Sequence, residues 1–391
     1  MISRILLLTS ALVILHPCLA QSLVEPIEAV LKVGPEAAHH REAAAAVTTL
    51  SQAPASELPR LLGAMNQAND LAANYLRSAV ESVLDRSFAS QKTLPLGEIR
   101  DFLLETRNAP RARRLAYEIL QRVIPEDAAR MLPGFANDPS AELRYDAVEL
   151  QIRSAETFKS GGQSAEAVRT FQSALNSARN PKQIDQIASE LRSLGVEVDL
   201  PTHFGFLTHW QVIGPFDNTR LEGFERVEPP EKEIDLAAEY DGKSGKVRWT
   251  AVNTGQEHGK VDLNPVLGES KEVTAYATTV FQSPIDGPAE IRLGCKNGWK
   301  VWWNGKFLFG RDEYHRGARI DQYRLPIQLQ KGANVLLLKV CQNADVKDWT
   351  REWEFQLRVC DSSGTAILAT DRPPTPKAAP RSPGKSRSKK D

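Results

Sequence analysis

The stretch NGWKVWWNGKFLFG, residues 297–310, places three tryptophans within five positions and then closes on Asn304-Gly305. Asn-Gly between two apolar runs is a strong type I′ hairpin signal, because both central residues of that turn need a positive φ. The turn predicts Trp303 opposite Lys306, Trp302 opposite Phe307 and Val301 opposite Leu308. Side chains alternate along a strand, so Trp299, Val301, Trp303 and Leu308 share one face and Lys300, Trp302, Phe307 and Phe309 the other. The first set has the character of a sandwich interior. The second set belongs to an outward face, which is normally polar and here is aromatic. Such a face either stacks a sugar or docks a partner, or else a long loop (residues 216–245) or the helical part of the chain covers it.

The period of two extends outward from this hairpin. Strands are expected at THWQVIG (208–214), KVRWTAV (246–252), EVTAYATTVFQ (272–282), AEIRLGC (289–295), IDQYRLPIQLQ (320–330), NVLLLKVC (334–341), EWEFQLRVC (352–360) and TAILA (365–369). Turn residues separate them at the spacing of an antiparallel β-sandwich, and a two-sheet jelly roll is the natural closure for so many short strands. Gly214-Pro215 reads as turn chemistry, with Trp210 and Phe216 spaced as staples between domains. If the strands ending at Cys341 and Cys360 are antiparallel neighbours, their sulfurs lie some 20 Å apart at about 3.4 Å per residue, and no bridge joins them. Cys295 is in phase with Ile291 and Leu293 and is expected to be a buried thiol.

Before residue 198 the apolar spacing is helical, with short breaks at Pro, Gly and Asn-Asp. LRSAVESVL (76–84), RRLAYEIL (113–120) and LRYDAVEL (143–150) align, with Arg77, Arg113 and Arg144 spaced by 36 and 31 residues. That is the period of stacked helical hairpins. His39 and His40 read as solvated helix residues, without the ligand cluster a metal needs.

These helical motifs resemble degenerate HEAT repeats, and the final pair, AEAVRTFQSALNSARN with PKQIDQIASELRSLG (165–195), resembles a tetratricopeptide hairpin. WQVIGPFDN (210–218), AYATTVF (275–281), IRLGCKNGWKVWWNGK (291–306) and LQKGANVLLLKVCQN (329–343) resemble the galactose-binding-like and protective-antigen-type jelly rolls of secreted bacterial proteins. The resemblance implies an α-solenoid of HEAT/TPR-like hairpins followed by a jelly roll that binds carbohydrate or a protein partner. In protective-antigen-type lectins a pair of aspartates holds calcium before the strand equivalent to Trp299–Trp303. Here Lys296-Asn297 stand in their place, and lysine supplies no oxygen ligand. No calcium, other metal or cofactor is expected.

The N-terminus, MISRILLLTSALVILHPCLAQS, carries Arg4, an apolar run and small residues before Gln21. The run is below the roughly 18 residues that span a bilayer, so residues 1–20 read as a secretory signal cut after Ala20. The mature chain is then exported, periplasmic or secreted, with no transmembrane segment. Pro17 precedes Cys18 where lipidation wants a small residue, which disfavours a lipid anchor. The domains are therefore expected at 21–198 (helical) and 199–371 (sandwich), with a basic tail from 372 to 391. That tail holds seven Lys/Arg against one Asp, while the chain as a whole balances at zero. Too polar to fold, it reads either as a solubilising linker or as a tether to an anionic surface, without specific nucleic-acid binding.

The loop GRDEYHRGARIDQYR (310–324) supplies the remaining candidate ligand-binding residues. Beside Trp302, Phe307 and Phe309 these are Arg311, Asp312, Tyr314, His315, Arg316, Asp321 and Gln322, planar and bidentate groups of the kind that hold hydroxyl-rich ligands. An ordinary loop with internal ion pairs has the same composition. No Ser-His-Asp, Glu-x-x-His, P-loop or paired-cysteine pattern stands in a supportive context. The sequence therefore predicts a chain that is not an enzyme: a glycan- or protein-binding jelly roll on a helical scaffold. The alternatives are a pure interaction scaffold with a structural jelly roll, or an accessory subunit of a separate carbohydrate-active enzyme.

Overall fold

The computed structural model describes residues 23–376. The expected signal segment, with Cys18 and the cut after Ala20, and residues 377–391 of the expected tail lie outside the described residues. Helices come first and antiparallel sheets later. The described residues divide into two compact units, the first ending at Asp146 and the second beginning at Ala147, and the expected change of domain at 198/199 falls inside the second.

The first unit contains α1 (Val24–Leu31), α2 (His40–Leu50), α3 (Leu58–Ala64), α4 (Asp70–Ala89), α5 (Leu96–Leu104), α6 (Pro110–Val123), α7 (Pro125–Met131) and the start of α8 (Ala141–Ser160). Their starts follow from the sequence: Asn69 accepts the Ala72 N–H and caps α4, while Pro110 and Pro125 open α6 and α7, where a missing N–H costs nothing. The three aligned arginines are not equivalent. Arg113 is buried and grips Asp138 through both guanidinium nitrogens at 2.7 and 2.6 Å, and Arg144 Nε donates to the Asp138 carbonyl at 2.8 Å. Arg77 instead lies at the surface between Glu81 and Glu118. His40, expected to be solvated, bonds Tyr75 Oη and the Gly34 carbonyl.

In the second unit, α9 (Ser164–Ser177), α10 (Pro181–Ser193) and α11 (Leu200–Phe204) build a small core around Phe171, Ile187, Leu191 and Phe204. Arg358 Nη1 donates to the Phe204 carbonyl at 3.0 Å and Arg192 meets Glu257 at 2.7 Å, which ties these helices to the sheets. The strands are β1 (His209–Asp217), β2 (Glu239–Gly242), β3 (Gly245–Arg248), β4 (Thr250–Asn253), β5 (Val261–Asp262), β6 (Val273–Ser283), β7 (Gly287–Cys295), β8 (Gly298–Trp303), β9 (Lys306–Arg311), β10 (Tyr323–Leu329), β11 (Gly332–Gln342) and β12 (Glu354–Cys360), with α12 (Pro229–Lys232) between β1 and β2. One sheet has the order β4-β1-β6-β11-β8-β9, the other β10-β7-β12-β5, and β2 pairs with β3 alone.

The two larger sheets enclose a core that includes Val212, Ile291, Trp299, Leu338 and Leu357. Trp210 belongs to this core, edge-on to Phe355 at 4.9 Å, and Phe216 packs on Tyr276. Neither is a staple between domains. KVRWTAV is divided into two strands at Trp249, and TAILA contributes a single bridge, Ala366 to Cys360. β11 and β12 lie in different sheets, which corrects their expected pairing; all three described cysteines are free and buried.

The hairpin has the expected turn, with φ of 50° at Asn304 and 75° at Gly305. Its register then shifts. Trp302 faces Phe307 as expected, but Val301 faces Phe309, so Leu308 is an extra residue on β9. The bulge moves Phe309 off the face of Trp302, and its ring meets Trp299 at 6.0 Å.

A second apolar cluster covers the outer face of the six-stranded sheet. Ile213, Phe216, Tyr276 and Leu337 are buried there beneath Val247, with Ile234, Tyr240, Trp249 and Trp302 partly buried around them. The segment from 219 to 249 is thus a strap across that face. Lys339, buried in the middle of β11, holds it: Nζ donates to the carbonyls of Phe224 (3.0 Å) and Arg226 (2.7 Å) and to Glu231 Oε1 (2.8 Å), and Tyr276 Oη donates to the same Glu231 oxygen. A buried ammonium is tolerated because each donor finds an acceptor.

Candidate functional site

Four connecting segments converge at one end of the sandwich: the residues after β1, the β7–β8 link, the loop after β9 and the loop between β11 and β12. His315 ties three of them, donating its backbone N–H to the Lys296 carbonyl at 2.6 Å and placing Nε2 3.0 Å from Asn343 Oδ1. Asn297 Nδ2 donates to Gln342 Oε1 (3.1 Å), while Asn218 Nδ2 donates to the Gln342 carbonyl (3.0 Å) and reaches Tyr314 Oη at 3.4 Å. Gly298 leaves room for this packing, since a Cβ there would come within 3.0 Å of the Tyr314 ring. Burial pushes the Tyr314 hydroxyl well above its usual range, so it stays protonated and able to donate.

Over this polar layer stands Trp349, 55% exposed. Its ring meets His315 edge-on at 5.2 Å, and Lys347 Nζ lies 5.3 Å from its centroid. Lys296 donates to the Trp349 carbonyl at 3.4 Å and forms an ion pair with Glu352, which fixes the base of the same loop. Buried polar atoms are normally paired, yet His315 Nδ1, Asn218 Oδ1 and Asn297 Oδ1 are buried without a hydrogen-bond partner among the described residues. Arg311 and Arg316 flank the site, both paired with Glu313, at 3.2 and 3.6 Å. The end of the sandwich thus offers an indole face, an imidazole, the Asn343 amide and two guanidiniums. That set suits a neutral, hydroxyl-rich ligand.

The structure does not bring the ten residues expected to bind ligand together in one place. Arg311, Asp312, Tyr314, His315 and Arg316 belong to or border the loop end just described. Trp302 is half-buried under the strap, with Phe307, 50% exposed, beside it at 5.6 Å, while Phe309 is at the sheet edge under the Arg311 guanidinium. Asp321 has a structural role: it receives Arg358 through Nε (2.7 Å) and Nη2 (2.6 Å) and Arg292 through Nη1 (2.8 Å), and these hydrogen bonds and charges hold its carboxyl below the usual range despite burial. Gln322 joins its own loop to β7, donating to the Gly317 carbonyl and accepting the Cys295 backbone N–H. Trp349, Asn343, Asn218 and Lys339 were not anticipated. Trp349 carried one signal, a lone tryptophan among charged residues (KDWTRE) between two strands. Among the described residues no group of three or more His, Cys, Asp or Glu is arranged to hold a metal ion.

No family model matches the chain, and no curated protein matches it. Solved structures give weak likenesses. The β-glucuronidase from Ruminococcus gnavus is 11% identical, with 40% of this chain covering 28% of that one at a TM-score of 0.23. The β-glucosidase from Kluyveromyces marxianus in complex with glucose is 10% identical, with 73% of this chain covering 36% of that one at 0.27. The PA14 sugar-binding domain from an RTX adhesin is 10% identical and wholly covered by 42% of this chain, at 0.20. The chain therefore spans well under half of the two glycosidases named here. Because glycoside hydrolases stand among these structures, the expectation that the chain is not an enzyme is withdrawn; at such TM-scores the likeness carries no argument for a particular activity.

Proposed function

We propose that the C-terminal sandwich is a jelly roll that binds carbohydrate at its loop end, with Trp349 as the stacking platform and His315, Asn343 and Arg316 as its polar surround. The chain is read as an exported protein whose helical hairpins, stacked as a solenoid over residues 21–198, carry that module. One observation supports this site over the outer face around Trp302: Trp349 is more than half exposed and fixed from below by His315, whereas Trp302 is part of the packing under the strap. Pyranose rings stack on such exposed indoles, and planar amide and guanidinium groups around them read the hydroxyl pattern.

A glycan array probed with the chain from Gln21 tests this, using plant, algal and bacterial polysaccharides. Binding is expected to one class, and Trp349→Ala should reduce it by about 1–3 kcal/mol, or roughly five- to 150-fold, through lost aromatic contact. Equal binding by the wild-type and Trp349→Ala chains would remove the site.

A further inference from the structure

Trp349 precedes β12; past the other end of that strand, a pocket of about 280 Å³ opens between the turn after α9, the first turn of α10, α11 and residues 364–368. Its lining includes Arg179, His203 and Arg358 and no Asp or Glu. The carboxylates of the neighbouring segments already have partners: Asp321 receives Arg358, Asp185 meets His258, Asp199 accepts from the Thr202 and Thr375 hydroxyls, and Asp361 from Ser363 and the Thr365 N–H. A further guanidinium borders the pocket, Arg372 Nε donating to Thr202 Oγ1 at 3.2 Å. Positive charge therefore dominates the lining.

The basic groups differ in what they can still offer. Each nitrogen of the Arg358 guanidinium already donates, to Asp321 or to the carbonyls of Phe204 and Gly364. Arg179 is held by Thr365 Oγ1 (3.0 Å, from Nε) and by the carbonyls of Asn176 (2.8 Å) and Ala178 (2.7 Å, both from Nη1). His203 is half-buried, edge-on to Phe204 at 5.8 Å, and its ring makes no hydrogen bond among the described residues. Burial, then the two guanidiniums, hold its imidazole down to about 4, so near neutral pH it is uncharged with one N–H to donate. A single donor in a field of fixed positive charge suits a monoanion better than a dianion. The rest of the wall is apolar, with Ile184 buried and Leu368 37% exposed. The volume lies at the lower end of ligand sites, which points to a small molecule.

We propose that this pocket binds the carboxylate of a small organic acid, with the His203 imidazole donating to it, the Arg179 and Arg358 charges stabilising it, and Ile184 and Leu368 against its hydrocarbon body. The site is separate from the one at Trp349 and does not depend on glycan binding there.

Sodium butyrate is the probe, and the ring-proton signals of His203, identified by their loss in His203→Gln, are the readout in the chain from Gln21. Saturating butyrate should raise the His203 pKa by one unit or more over sodium chloride at the same ionic strength, equivalent to at least tenfold tighter binding by the imidazolium. Acetate, lacking the chain that meets Ile184 and Leu368, should need roughly tenfold higher concentration. Leu368→Glu, which sets a carboxylate at this exposed position of the lining, should abolish the response to butyrate, while Leu368→Gln should keep it. No shift with butyrate, an equal shift with chloride, or a shift that survives in Leu368→Glu would overturn the site. Acetate or inorganic phosphate acting at lower concentration than butyrate would overturn the assignment of its ligand.

Discussion

Lys339→Met removes the buried ammonium that anchors the strap. Nζ supplies three hydrogen bonds of 3.0, 2.7 and 2.8 Å, two of them to the carbonyls of Phe224 and Arg226 and one to Glu231. The methionine keeps the length of the side chain but leaves the Glu231 carboxylate, 9% exposed, with Tyr276 as its remaining close partner. Breaking a buried pair on one side costs about 3–5 kcal/mol, most of it the uncompensated charge. Glu231→Gln added to Lys339→Met removes that charge and should recover about half. Urea unfolding gives the free energy, and hydrogen exchange localises the loss to residues 219–249. A single variant within about 1 kcal/mol of wild type, or a double variant no better than the single, would refute the latch.

Trp299→Ala and Trp303→Ala should cost about 3–5 kcal/mol by opening the sandwich core, and half-buried Trp302→Ala about 2–3 kcal/mol by loosening the outer cluster, all read by denaturant unfolding. Burial first, then the Arg179 and Arg358 cations, bring His203 down to about 4. The unfolded chain therefore binds the extra proton below pH 6.5, so stability should fall between pH 6.5 and 4 by up to about 3 kcal/mol, and His203→Gln should flatten that limb. Burial raises the Cys295 thiol to about 12 and those of Cys341 and Cys360 to about 11. Alkylation at neutral pH should therefore label none in the native protein and all three after unfolding without reductant.

The interior was legible because alternation and turn chemistry agree there: the Asn304-Gly305 turn and the inward Trp299, Val301 and Trp303 follow from spacing alone. The bulge at Leu308 was not, since an extra residue on an edge strand leaves no compositional mark, and it changed the face of Phe309. Lys339 sits in the apolar run LLLKVC, and a lysine within such a strand demands a buried acid. Glu231, 108 residues earlier, is a partner that no local pattern identifies. The ion pairs of Asp321 were hidden for the same reason, because its loop composition suits a ligand site while its two arginines come from distant strands. Trp349 lies outside any periodic segment, so its exposure emerges only once the loops are placed.

The site at Trp349 is tested most directly by indole Nε1–H spectra during titration with the glycan that scores highest on the array. The Trp349 signal, identified by its loss in Trp349→Phe, should move with saturating dependence on glycan while the Trp302 signal stays in place. Movement of Trp302 with Trp349 unchanged would contradict the assignment and return the binding site to the outer face of the six-stranded sheet.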